Sequence, residues 1–212
     1  MLVSYSKHFI FIHNYKVAGS SIKAVLSRFE NQNIFQEISK KLFKKYGVLI
    51  NLPYYKFRYF PDHLTAAQIR NRLPDLVYDR FFTFSFVRNP WDWQVSLYFY
   101  MRQNASHFQH QIVKDMDFEE YIQWRIKEDL HLQREFIMDK HGRILVDFIG
   151  KYENLKEDFS KVCKRIEVEA KLPHLNPSQN KDYRTYYTPK TKGMVETAFR
   201  DDIEYFNYQF DK

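Results

Sequence analysis

Phe9-Ile10-Phe11-Ile12-His13-Asn14-Tyr15-Lys16-Val17-Ala18-Gly19-Ser20-Ser21 is the most informative stretch of this chain. Four apolar residues run up to His13, and Ile22, Val25, Leu26 and Phe29 recur at helical spacing after Ser21. The order is strand, tight loop, helix. A helix start leaves its first N–H groups unbonded and carries the positive end of the helix dipole, so a loop placed here gathers donors around an anion. Lys16 and the hydroxyls of Ser20 and Ser21 add to that pull, and a phosphate or a sulfate is the ligand to expect. A plainer reading stands beside it, with Lys16 a solvated loop lysine and Gly19-Ser20-Ser21 an ordinary helix start.

The loop is not a nucleoside-triphosphate motif of the Walker A type, which places its lysine directly after the second glycine and a hydroxyl residue next for magnesium. Here the lysine precedes the only glycine of the loop, and no apolar run closing on Asp follows downstream. Metal-bound ATP fits poorly.

A second segment points the same way. Phe81 to Val87 is apolar and β-favouring, with Thr83 and Ser85 its only polar members, which predicts a buried strand. Arg88 stands at its end, Asn89 offers an N-cap, and Pro90 occupies the first helical position. The helix that follows puts Trp93, Ser96, Leu97 and Tyr100 on one side. Arg88 supplies a planar fork suited to phosphate and Ser96 a further donor. The alternative is that Arg88 pairs with a nearby carboxylate and Ser96 is a small packing residue.

Together the two segments resemble the sulfotransferases that use 3′-phosphoadenosine-5′-phosphosulfate (PAPS), in particular the carbohydrate, Golgi-type branch known as sulfotransferase family 2. The resemblance implies an α/β, P-loop NTPase-like three-layer fold with a central parallel sheet flanked by helices. It also implies that Lys16, Val17, Ala18, Gly19, Ser20 and Ser21 hold the 5′-phosphosulfate, and Arg88 and Ser96 the 3′-phosphate. Phe148-Ile149-Gly150-Lys151-Tyr152-Glu153-Asn154-Leu155 is similar to the family segment where a strand gives way to a helix beside the nucleotide. His174-Leu175-Asn176-Pro177-Ser178, then Tyr183-Arg184 and Tyr186-Tyr187, resembles the loop that folds over the cofactor, making Ser178, Lys181 and Arg184 expected contacts. Where the family often has a proline directly before the lysine, this chain has Tyr15.

Sulfuryl transfer to an alcohol is an in-line displacement, so the protein must align two oxygens and quiet the charge on the leaving phosphate. Lys16 is the expected source of that charge, and no metal is expected because the lysine can serve. The acceptor hydroxyl needs a base. His63 stands in Pro61-Asp62-His63-Leu64-Thr65-Ala66-Ala67-Gln68, where Thr65 and Gln68 form a capping box and leave His63 in the loop before a helix. That placement resembles the base-bearing loop between the two cofactor motifs of the family, and imidazole titrates near neutrality. His13 is the rival, although the family residue there shapes the turn; His174 is a third and more structural candidate. The carbohydrate branch implies a sugar hydroxyl as acceptor, while residues 31–59 and 102–142, which would choose it, match nothing recognisable.

Composition agrees. A chain of 212 residues with 44% hydrophobic residues has the size of one domain, and no repeat or linker divides it, so 1–212 reads as a single catalytic domain. Thirty-three basic residues against 26 acidic give a net charge of +7, which suits an anionic ligand. Nucleic acid would suit it too, but the basic residues are scattered and no reader motif appears. The 16 Tyr, 20 Phe and 3 Trp are mostly packing residues. A lone cysteine, Cys163, excludes an internal disulfide and falls in an apolar helical pattern with Phe159, Val162 and Ile166. No signal peptide or membrane span is legible, so the expectation is a soluble cytoplasmic enzyme of bacterial type, or an excised catalytic domain. Oligomeric state is left open. The competing readings are a P-loop-type nucleotide kinase and a non-catalytic basic protein that binds nucleic acid or glycans.

Strands are expected near 8–12, 81–87 and 144–149, with weaker candidates around 47–51. Helices are expected near 20–29, 35–45, 65–72, 91–102, 118–126, 155–168 and 192–204. Strands separated by helices imply a parallel sheet with ligands at the strands' carboxyl ends, where both anion motifs fall.

Overall fold

The computed structural model describes residues 1–30, 34–50, 52–173 and 182–211. Along the chain, β1 (Leu2–Ser4) and β2 (Phe9–Ile12) precede α1 (Gly19–Leu26), α2 (Ile34–Tyr46), α3 (Ala66–Arg70) and α4 (Asp75–Arg80). β3 (Phe82–Val87) leads into α5 (Pro90–Gln103), α6 (His110–Val113) and α7 (Phe118–Glu128). β4 (Phe148–Lys151), α8 (Leu155–Arg165), α9 (Pro189–Ala198) and α10 (Arg200–Tyr205) follow. Two compact units result: one of Met1–Val87 and Glu135–Leu175, the other of Arg88–Arg134 and Asn176–Lys212.

The first unit holds a four-stranded sheet in the order β1-β2-β3-β4. β2 pairs parallel with β3, and β3 with β4, with Phe11 opposite Phe84 and Phe86 opposite Gly150. Alternation along the strands sends side chains to opposite faces. Phe9, Phe11, Phe84 and Phe86, all with no exposure, pack with Ile22 and Leu26 of α1 and Phe159, Val162 and Cys163 of α8. Ile10 and Ile12 take the other face, with Ala66 and Ile69 of α3 and Tyr78 of α4. Helices on both faces make three layers. Each fully buried Phe or Ile is worth about 1.5–3 kcal/mol, against about 0–1 for an exposed ion pair, so the two faces of the sheet hold this unit together. The polar members of β3 are satisfied internally: Thr83 Oγ1 donates to Asp147 Oδ2 at 2.9 Å, and Ser85 Oγ to the Ile12 carbonyl at 2.9 Å.

Four expectations need correction. The sheet is not wholly parallel: Leu2–Ser4 forms an antiparallel edge strand before β2, pairing Val3 with Ile10. No strand occupies 47–50, where Val48 is 57% exposed. The apolar run 144–149 is shared between partners, for Leu145 N–H bonds the Ile137 carbonyl and Ile144 bridges Met138, so the sheet strand begins only at Phe148. The 192–204 helix is two helices, α9 and α10, divided at Phe199 (φ −106°, ψ 20°), with Val195, Phe199 and Phe206 buried.

The second unit is helical. α5, α7 and α9 enclose Trp93, Leu97, Tyr121, Ile122, Val195 and Phe199, and Trp93 meets Phe199 edge to face at 6.2 Å. The Arg-Asn-Pro start of α5 behaves as its sequence suggests, with Asn89 Oδ1 accepting from Trp91 N–H at 3.1 Å and Pro90 in the first turn. No helix among the described residues is long and apolar enough to cross a membrane.

Candidate functional site

In the first unit, the chain leaves β2 at Ile12 and turns through the loop into α1. Lys16 (φ 55°) and Ala18 (φ 63°) both take the left-handed conformation, which costs a non-glycine residue roughly 1–2 kcal/mol. Strain of that kind concentrates at functional loops. No side chain caps the start of α1. Gly19 is required for a different reason: a Cβ there would lie 1.8 Å from Nε2 of His13, whose ring rests on it. Ser21 is buried and Ser20 exposed. Asn14, with no exposure, accepts from Tyr15 N–H at 2.7 Å, while its Nδ2 is a buried donor with no acceptor among the described residues.

His63 approaches this loop within the same unit. The capping box forms as expected, with Gln68 N–H donating to Thr65 Oγ1 at 3.2 Å and Thr65 N–H to Gln68 Oε1 at 2.9 Å. Just before it, His63 adopts φ 65° and sets Nδ1 3.0 Å from the His13 carbonyl. A carbonyl only accepts, so Nδ1 carries the proton and Nε2 keeps the lone pair of a base. The His63 ring stacks on Tyr15 with centroids 3.8 Å apart and planes 14° apart, and the His13 ring lies 4.5 Å away. Burial, reinforced by neighbouring His13, pushes the His63 pKa down to about 4, which corrects the near-neutral titration expected from the sequence and leaves the imidazole neutral at pH 7. Burial also lowers that of His13.

Asp62, the residue before His63, ties the loop to α1. Its carboxylate receives Lys23 Nζ with both oxygens at 2.7 Å and faces His13 Nδ1 at 3.4 Å and the Met1 amino group. Burial works against its ionisation, yet His13, the amino group and Lys23 hold it well below the usual carboxylate range. His13 is thereby a packing and turn-shaping residue, wedged between Phe11, Gly19 and Asp62.

In the second unit, Arg88 is only 5% exposed and pairs with a carboxylate at helical spacing. Nε donates to Asp92 Oδ2 at 2.7 Å and Nη2 to Oδ1 at 2.9 Å. Gln133 clamps the Arg88 backbone from both sides, accepting its N–H at 2.9 Å and donating to its carbonyl at 2.7 Å. Asp202 in turn receives Gln133 N–H at 2.7 Å. Ser96 is buried one turn beyond Asp92 on the same side of α5. Asp92→Ala would take from a buried guanidinium the carboxylate that holds its fork, and is expected to cost about 2–3 kcal/mol in urea unfolding, whereas Asp92→Asn should cost less.

Arg184, just before α9 in the second unit, forks onto Asp182, with Nε and Oδ1 2.9 Å apart. Ser178, Lys181 and His174 lie outside the described residues. The sequence reading missed Asp62, Lys23, Asp92 and Gln133. Asp92 was within reach, since i,i+4 spacing from Arg88 predicts a pair; Asp62, Lys23 and Gln133 depend on long-range contacts with no sequence signal.

Comparison with known proteins agrees with the fold. The mouse sulfotransferase SULT7A1, solved in complex with PAP, superposes with a TM-score of 0.56 at 18% identity, covering 94% of this chain and 85% of its own. An uncharacterised protein of Archaeoglobus fulgidus is 33% identical over 124 residues, which is 57% of this chain and 98% of that protein. The sulfotransferase family model matches residues 1–209, all four strands of the sheet included, and the chain therefore belongs to the sulfotransferase family, the enzymes that transfer a sulfuryl group.

Proposed function

We propose that this sulfotransferase moves the sulfuryl group of PAPS to a hydroxyl of a carbohydrate, with Lys16 and His63 as its catalytic residues. The β2–α1 loop carries the reading. Its strained residues Lys16 and Ala18 lead into a helix with no side-chain cap, and a buried amide donor of Asn14 waits for an acceptor, a combination suited to phosphosulfate oxygens. Backbone N–H groups of Val17 to Ser21, with the Ser20 and Ser21 hydroxyls, take the 5′-phosphosulfate. Arg88, its fork oriented by Asp92, and Ser96 take the 3′-phosphate. Ser178 and Arg184 add contacts from the C-terminal segment.

In the transfer, an S–O bond forms to the acceptor oxygen as the bond to the bridging oxygen breaks. The acceptor proton passes to Nε2 of His63, and Lys16 balances the charge left on the phosphate. The family match runs through both units, which supports reading 1–212 as one catalytic domain. A buried Cys163 needs no oxidising compartment, in keeping with a cytoplasmic location.

A thermal-shift panel tests the ligand. The product nucleotide 3′-phosphoadenosine-5′-phosphate, at one hundred times its Kd, should add about 2.7 kcal/mol, or roughly 5–10 °C for a chain of this length. ATP with magnesium should do much less. The reverse preference would indicate a kinase, and salt-dependent binding of polyanions that ignores Lys16 and Arg88 would indicate a nucleic-acid or glycan binder.

A further inference from the structure

We infer that Tyr15 is a positioning residue for His63, so that the loop holding the sulfuryl donor also aims the base. The inference rests on the proposed role of His63 and extends it to a neighbour. The hydrogen bond from Nδ1 to the His13 carbonyl is an axis about which the imidazole can turn, and the His13 ring 4.5 Å away is tilted by 40° and covers it only obliquely. The Tyr15 face, 3.8 Å away and within 14° of parallel, removes the swing.

Tyr15 is itself held. Its ring meets Phe136 edge to face at 5.4 Å, and Phe136 is buried. Its N–H is bound by Asn14. Two consecutive anchors of His63, the His13 carbonyl and the Tyr15 ring, therefore come from the loop between β2 and α1, and the Asp62–Lys23 bridge fixes the neighbouring backbone to α1. Any shift of this loop carries Nε2 of His63 with it. Tyr15 is 40% exposed, so the ring is not needed as core.

The test uses Tyr15→Leu and Tyr15→Phe in the full chain, with ³⁵S-labelled PAPS and a panel of simple glycosides as acceptors, and water where none accepts. Tyr15→Leu should lower kcat by about 10- to 100-fold, with the KM for PAPS within about threefold, and Tyr15→Phe should restore most of the loss. In ¹⁵N spectra the wild-type His63 should show its proton on Nδ1, and Tyr15→Leu should show a mixture of tautomers. Equal kcat in all three proteins, or an effect confined to the KM for PAPS, overturns the inference. So does an unchanged His63 tautomer in Tyr15→Leu, a readout that holds even where turnover is too slow to measure. His63→Ala, run alongside, separates the two ideas: full turnover there removes the base itself, whereas lost turnover there with an intact Tyr15→Leu removes only the positioning.

Discussion

Lys16→Met should reduce sulfuryl transfer by about 100- to 1,000-fold, the loss found when one preorganised charge-stabilising donor is removed from an active site. The backbone groups of the loop and the roughly half-charge at the start of α1 remain in the variant, so some catalysis survives. What disappears is the full positive charge that answers the phosphate as its bond to sulfur breaks. Lys16 already sits at φ 55°, and methionine meets the same backbone penalty, so folding should be little changed. Lys16→Arg should rescue only partly, because a planar fork cannot replace a compact ammonium at the end of a flexible stem. Affinity for the product nucleotide should fall about 10-fold, for the charge serves ground state as well as transition state. Turnover of Lys16→Met within threefold of wild type would rule the lysine out of this role.

Much of the scaffold for that lysine was legible because its signals are local. Apolar runs at 9–12 and 81–87 announced buried strands; Asn89-Pro90 and Thr65…Gln68 announced helix starts, and both caps form. The failures share a different physics. β1 is three residues long, too short for periodicity to reveal, and is fixed by its pairing with β2 and by burial of Leu2 and Val3. Residues 144–149 look like one strand, yet Ile144 and Leu145 are recruited by 137–138 before the sheet is reached. The break at Phe199 has neither Gly nor Pro to mark it, and falls on a side chain with no exposure.

The candidate site divides along the same line. Residue types and spacing pointed to Lys16 and Arg88, and the family resemblance to His63, but not to the long-range contacts that hold them. The left-handed positions of the loop fall on Lys16 and Ala18, and Gly19 is dictated by the His13 ring pressed against it, a close approach that no residue type in the loop announces. Arg88 turned out to be buried and paired with Asp92, the plainer of its two readings, without losing the planar orientation that phosphate recognition uses. Orientation of a functional group is a long-range property, and sequence spacing reports it only when the partner is one helical turn away.

His63→Ala should remove about 100- to 10,000-fold of turnover, the usual contribution of a general base, while leaving affinity for the product nucleotide within about twofold. The small effect on binding follows from position: the His63 ring touches Tyr15 and His13, and its one bonded nitrogen is turned to a backbone carbonyl. Added imidazole should recover part of the lost rate. The same substitution has a signature in stability. In the unfolded chain His63 titrates near 6.5, and in the folded protein near 4 because burial and His13 disfavour its charge. Between those values the unfolded state binds more protons, so wild type loses stability as pH falls through that window. His63→Ala lacks this contribution. The difference in Tm between wild type and His63→Ala should therefore shift in favour of the variant from pH 6.5 to 4 and stay level above about 7. His13, also lowered by burial, titrates in both proteins and drops out of the comparison to first order. A pH-independent difference would show that the imidazole is not held neutral by its surroundings, and full turnover by His63→Ala would show that the proton leaves the acceptor by another route.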